Sequence, residues 1–232
     1  MTFQSKFMQS VVVDKSIGAG HIKAAIFDMD GLLIDSERII MQACVAAANR
    51  IGITYTQTDY LELTGRTWKD AKPIMIEQFN GEDNFNRIMQ GLDDALAKHE
   101  SAFPLKPGAL DLLQHYQRNQ VVCSVASSSA IQHIMHRLSR VGVHDYFSHF
   151  TSGQEVERSK PNPDIYLLAV EKLGLTVAEC IAFEDSEPGA RAAIAAGLKV
   201  IVVPDLKHPS DFVQQNAHQV VPSLTHWLEA IR

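Results

Sequence analysis

The chain has 232 residues, 46% apolar and 21% charged, with a formal charge of −6 when histidine is neutral. That length and mixture exclude a disordered or fibrous chain, and they allow one large domain or a core carrying an insertion. The acidic balance argues against nonspecific nucleic-acid binding, which depends on many basic groups neutralising phosphates, but leaves room for a local basic pocket.

Residues 1–20 hold one short apolar run, Val11 to Val13, followed at once by Asp14 and Lys15. The run is too short for a signal peptide or a membrane span, so it reads as an extension ahead of the first strand. KAAIFD, from Lys23 to Asp28, is the first strand pattern and enters a turn at Asp28-Met29-Asp30-Gly31. VVCSVA from Val121, ECIAFE from Glu179 and VIVVP from Val200 have the same character. Short runs that are apolar on both faces suit a parallel sheet covered by helices. Helical patterns lie between them at Ala109–Asn119, Ala130–Val141, Asp164–Leu173 and Pro188–Ala196, with Gly174 and Gly197 as stops and a closing helix around Leu224–Ile231. This alternation predicts an α/β fold with a Rossmann-like open parallel sheet.

Residues 36–103 break the alternation. They show helical periodicity interrupted at Gly52, Gly65, Asn80, Gly81 and Gly91, with no buried strand, before Pro104 and Pro107 mark a return. The expectation is a discontinuous core of residues 21–35 and 104–232 and a small α-helical cap of residues 36–103. Insertion beside the sheet's carboxyl edge would put that cap over the ligand crevice. Cys44, Cys123 and Cys180 make no disulfide scaffold; the latter two sit in apolar runs and read as buried free thiols, which fits a reducing cytoplasm.

Four segments carry chemistry. Asp28 ends a buried strand and Asp30 follows two residues later, so one carboxylate can attack while the other moves protons, with Gly31 easing the turn. Ser127 to Ser129 follow the second strand: Ser127 and the next backbone N–H groups can hold a phosphate oxygen, and Ser128 or Ser129 can also cap the coming helix. Lys160, in ERSKPNPDIY, is a cation delivered by a proline-stiffened loop, while Asp164 reads as a helix-start residue. Glu184 and Asp185 end another strand and suit a hard, oxygen-seeking cation such as Mg2+. Gly189 follows, either for close approach or for helix packing. His133 and His136 share a helix face without a third ligand and read as a surface or interface pair. Neither a zinc spacing nor a Gly-rich nucleotide loop is present.

Together DMDG, VASSS, SKPNPD and FEDS resemble the haloacid dehalogenase-like hydrolases, and within them the helical-cap phosphatase and β-phosphoglucomutase-like branch; the likeness spans about residues 21 to 220. The resemblance implies a phosphatase of small phosphate monoesters. Asp28 would be nucleophile and metal ligand, and Asp30 general acid/base with its carbonyl on the metal. Ser127 and Ser128 would hold phosphate, Lys160 would neutralise it, and Glu184 with Asp185 would complete a Mg2+ site. Dehalogenases of this superfamily lack the second aspartate, so Asp30 argues against halide displacement. The alternative is a sugar phosphomutase. Such mutases carry a cap histidine that aligns the second aspartate, and the matching place in DSERIIMQAC is near Ile40. They also use a cap arginine in the segment matching LTGRTWKD, where Trp68 holds that place and Arg66 and Lys69 are the nearby candidates for a substrate contact. The aromatic cap residues Tyr55, Tyr60, Trp68 and Phe79 could line a pocket, with helical core packing the default reading. The expected partner is a small phosphorylated metabolite, with neither nucleic acid nor membrane involved. A monomer is the working assumption, with a dimer left open.

Overall fold

The computed structural model describes residues 22–63, 68–99 and 103–232, except the side chains of 69, 70 and 97–99. The extension of residues 1–20 lies outside them. Six strands form one parallel sheet: β1 (Ala24–Phe27), β2 (Val122–Ser127), β3 (Phe147–Ser152), β4 (Cys180–Glu184), β5 (Lys199–Val202) and β6 (Gln219–Val220), in the order β3-β2-β1-β4-β5-β6. The chain builds outward from β1 through β2 to β3, then returns to the other side of β1 for β4. That reversal opens a crevice at the carboxyl ends of β1 and β4.

Successive residues of β1 supply opposite faces. Ala25 and Phe27 join one buried cluster and Ala24 and Ile26 the other, so both faces are covered and the strand is apolar throughout. Phe27 stacks on Phe183 at 4.7 Å between ring centroids, and Phe183 meets Trp227 edge-on. The indole N–H of Trp227 donates to the Tyr116 hydroxyl at 3.1 Å, satisfying the one polar atom of a fully buried ring.

Helices α1 (Ser36–Arg50), α2 (Gln57–Leu63), α3 (Trp68–Gln78) and α4 (Glu82–His99) lie between β1 and β2 and form the cap. Their own cluster includes Cys44, Ala48, Tyr55, Phe79, Phe85 and Ile88. Ile40 and Leu96 are half-buried and pack against both this cluster and the core. Gly52, Asn80 and Gly81 adopt positive φ at turns, as expected of breaks, whereas Gly91 lies inside α4 and breaks nothing. Gly65 lies outside the described residues.

The two connections between cap and core run side by side. The Asp35 N–H donates to Pro104 O at 2.9 Å, the Lys106 N–H to Leu33 O at 2.8 Å, and Ile34 bridges antiparallel to Leu105. The core continues with α5 (Ala109–Arg118), α6 (Ile131–Arg140), α7 (Asp164–Leu173), α8 (Glu187–Ala195), α9 (Asp211–Asn216) and α10 (Leu224–Ile231). The expected helices occur within a residue or two of their anticipated bounds. β3 and β6 are additions to the four strands anticipated. All three cysteines are buried free thiols. Among the described residues no helix is long and apolar enough to cross a membrane.

Candidate active site

β1 delivers Asp28 to the crevice, where its backbone N–H still bonds to Phe183 O at 3.0 Å and fixes its position against β4. Lys160 approaches from the loop before α7, in which the Lys160–Pro161 peptide is cis. Its Nζ donates to Asp28 Oδ1 at 2.6 Å, Glu184 Oε1 at 2.6 Å and Ala126 O at 3.2 Å. An ammonium has three protons, and all three are engaged.

Glu184, at the end of β4, is fully buried. Its Oε1 also accepts from the Tyr166 hydroxyl at 2.7 Å, and its Oε2 accepts from the Asp185 N–H, the Ser186 N–H and Ser186 Oγ at 3.1 to 3.3 Å. A Cβ on Gly189 would land on this carboxylate, and one on Gly31 would land on Asp185 Oδ2. Close approach, the first of the two readings offered for Gly189, is therefore what the geometry shows. Gly31 also needs its φ of +86°, which glycine adopts without strain.

Asp28, Glu184 and Asp185 each offer a carboxylate oxygen within 4.8 Å of the others, a set that could hold a metal ion. Three acids face one ammonium, and the imbalance appears in their proton affinities. Burial, opposed by Lys160 and reinforced by Glu184, pushes the Asp28 carboxyl up to about 8. Burial and the charges of Asp28 and Glu184 raise Asp185 well above the usual carboxylate range. Burial works against the Lys160 ammonium, but Asp28 and Glu184 outweigh it and hold the ammonium charged. A divalent cation would cancel the surplus, and an all-oxygen donor set fits a hard cation.

Ser127 closes β2, buried, with its Oγ accepting from the Ser129 N–H at 3.1 Å. Ser128 is exposed beside it. Neither Ser128 nor Ser129 caps α6: the N-cap is Ala130, without a side-chain cap bond. Ser129 instead turns its Oγ to Asp30 Oδ2 at 2.8 Å. Asp30 is not one of the three grouped acids; its side chain also accepts, on Oδ1, from Ser36 Oγ at 2.6 Å and Arg137 Nη1 at 2.8 Å. Nearby, in the first turn of α1, burial and the charges of Asp30 and Asp205 push Glu37 up to about 7 despite Arg137.

Ser36, Glu37, Arg137 and Tyr166 stand near the site although none of the four segments DMDG, VASSS, SKPNPD and FEDS contains them. Tyr166 had a signal in its place just inside the helix after the lysine loop; Arg137 had none. Arg66 lies outside the described residues, as does the Lys69 side chain. Tyr55 and Phe79 are core residues of the cap, while Trp68 is exposed. Asp164 opens α7 and receives Arg158 through two hydrogen bonds, as a helix-start residue would. His133 and His136 are exposed on α6.

A sequence profile of haloacid dehalogenase-like hydrolases matches residues 25–203. Hexitol phosphatase B of Escherichia coli K12 is 30% identical over 79% of this chain and 84% of its own length. A phosphorylated carbohydrates phosphatase of Thermotoga maritima is 28% identical over 78% of this chain and 84% of its own. Among solved structures, CbbY from Rhodobacter sphaeroides in complex with phosphate superposes with a TM-score of 0.70 at 25% identity, covering 88% of this chain and 95% of that one.

Proposed function

The chain belongs to the haloacid dehalogenase-like hydrolases, and from that premise we propose that it is a magnesium-dependent phosphatase of small phosphate monoesters, sugar phosphates foremost. The observation that carries this reading is the convergence of Asp28, Lys160, Glu184 and Asp185 at the crevice. In this reading Asp28 attacks phosphorus and forms an aspartyl-phosphate as the bond to the leaving oxygen breaks. Asp30 gives that oxygen its proton, then takes one from a water that attacks the aspartyl-phosphate and frees both phosphate and Asp28. Ser127, with the backbone N–H groups after it and Ser128 beside it, holds the phosphoryl oxygens at the start of a helix. Lys160 offsets charge on phosphate and on Asp28 in a site with little water to do so. Mg2+, held by Asp28, Glu184 and Asp185 with the carbonyl of Asp30, supplies the remaining electrostatic stabilisation.

Residues 36–103 form the cap, with the core made of 21–35 and 104–232. Arg66, and the cap generally, select the alcohol. The sugar-phosphate assignment draws on the two relatives, whose names refer to hexitols and phosphorylated carbohydrates. Against the mutase stands Ile40: its side chain is spent on packing between cap and core, where an aligning histidine would need a polar route to Asp30. The acids and the lysine all come from one chain, which supports a working monomer, and buried reduced thiols support a cytoplasmic site.

Phosphate release from a panel of sugar phosphates, nucleotides and phospho-acids, with and without magnesium, tests the reading. Asp28→Asn is expected to lower turnover by at least about 1,000-fold. Undiminished turnover in that variant would end the proposal. Asp28-dependent conversion of β-glucose 1-phosphate to the 6-phosphate on adding a bisphosphate, without net release, would replace it by the mutase.

A further inference from the structure

Asp30 is gripped by three side chains from three parts of the fold. Ser36 starts α1 on the cap side, Ser129 sits in the loop after β2, and Arg137 lies well along α6. The two serines are small and lie next to the site in sequence or space. Arg137 is different, because nothing about its helix requires it to reach Asp30. Its guanidinium lies over the ring of Phe103, 5.2 Å from the centroid, and Phe103 is a buried residue of the second connection to the cap.

The guanidinium is also incompletely satisfied. Its Nη1 is spent on Asp30, while its Nε is buried with no hydrogen-bond partner among the described residues. A buried donor left unpaired is unfavourable, and a side chain chosen for stability alone would avoid it. The arrangement makes sense if the one contact with Asp30 is what matters. Two rigid planes, the fork and the ring beneath it, then define where Asp30 Oδ1 sits, through an ion pair that neither serine can make.

We propose that Arg137 is a positioning residue, stacked on the second cap connection, that holds the Asp30 carboxyl group in line for proton transfer to the leaving oxygen. The inference rests on the phosphatase reading above. Arg137 is bonded to Asp30 and not to the nucleophile Asp28; it acts through Asp30. Misplacing a general acid by about an ångström forfeits much of its contribution, because geometry precedes proton affinity in deciding whether transfer occurs.

The dependence on leaving group separates this role from a merely structural one. A nitrophenolate departs without a proton, whereas an alkoxide needs one. The measurement is kcat/KM, which reports the first bond cleavage, for 4-nitrophenyl phosphate and for a sugar or glycerol phosphate. Arg137→Met is expected to lose roughly 10- to 100-fold on the alkyl ester and less than about threefold on the aryl ester. Arg137→Lys, which keeps the charge but loses the planar fork, should fall between. Added guanidinium should restore alkyl ester turnover in Arg137→Ala, which keeps the test open if Arg137→Met folds poorly. Equal losses on both esters, or unchanged or faster alkyl ester cleavage, would overturn the inference. Asp28→Asn run alongside tells the two failures apart. If its turnover survives, the phosphatase reading falls and the inference with it; if turnover requires Asp28 but the Arg137 variants show no leaving-group selectivity, only the inference falls.

Discussion

Gly189 and Gly91 are both helical glycines, and the space around them makes opposite demands. On α8, a methyl at Gly189 would occupy the place of the Glu184 carboxylate, the acceptor shared by Lys160, Tyr166 and Ser186. That carboxylate is buried and cannot step aside without abandoning those donors. Gly189→Ala should therefore destabilise by about 1–3 kcal/mol through overpacking and weaken metal-dependent turnover. On α4, a methyl at Gly91 would meet, among the described residues, only the Ala47 Cβ at an ordinary 3.5 Å. Gly91→Ala should stabilise by about 0.5–1 kcal/mol, the helix preference of alanine over glycine. Urea unfolding of both variants checks the pair, and a stable Gly189→Ala would show that Glu184 has room to move. The same contrast explains what could be read in advance. Asp28, Lys160, Glu184 and Asp185 announced themselves because each ends a strand or sits in a stiff loop. Arg137 and Ser36 did not, since their importance comes from Asp30 lying 107 and 6 residues away in sequence, a relation with no local pattern.

Between the elements, the paired connections of cap and core are held to the loop after β5 by charge. Asp205 Oδ1 accepts from Lys106 Nζ at 2.6 Å and from Arg38 Nη2 at 3.0 Å, so one core acid grips the second connection and the first cap helix together. The Asp205 side chain is 2% exposed, Lys106 17% and Arg38 46%. Water screens the arginine and hardly reaches the lysine. A double-mutant cycle with Asp205→Asn should give a coupling of about 1–3 kcal/mol to Lys106→Met and below about 1 kcal/mol to Arg38→Met. Coupling that is larger for Arg38 would mean the cap end, not the connection, is what Asp205 secures. Such detail is invisible to periodicity, and so were two strands. The four strands anticipated, β1, β2, β4 and β5, are the interior ones, apolar because helices cover both faces. β3 and β6 lie at the sheet's edges. β3 reads FSHFTS with two half-buried positions and β6 has only two residues. Edge strands need less apolar surface, and the alternation that identifies a strand fades with it.

For the whole molecule, the surplus negative charge at the crevice ties stability to pH and to metal. Without metal, Asp28 is pushed up to about 8 chiefly by burial, with Lys160 opposing and Glu184 and Asp30 reinforcing; Asp185 is raised in the same direction. Glu37 is pushed up to about 7 by burial and by Asp30 and Asp205. In the unfolded chain these carboxyls ionise near about 4. The folded state thus binds their protons more tightly, and the stability they contribute is present below about pH 4 and lost as pH rises towards about 8. In the magnesium enzyme proposed above the ion competes for the ionised form, so its effect runs the other way: slight where the acids hold protons, large where they do not. At a concentration near 100 times its dissociation constant the gain is about 2.7 kcal/mol, or roughly 5–10 °C in Tm for a chain of this size. Thermal unfolding at pH 5.5 and 8.5, with and without magnesium, is expected to show a small gain at the lower pH and most of that range at the higher. In Asp185→Asn the gain at pH 8.5 should largely vanish, because one ligand charge is gone. Equal gains at both pH values would place the bound magnesium elsewhere, since only groups that exchange a proton for the metal make its stabilisation climb through this window.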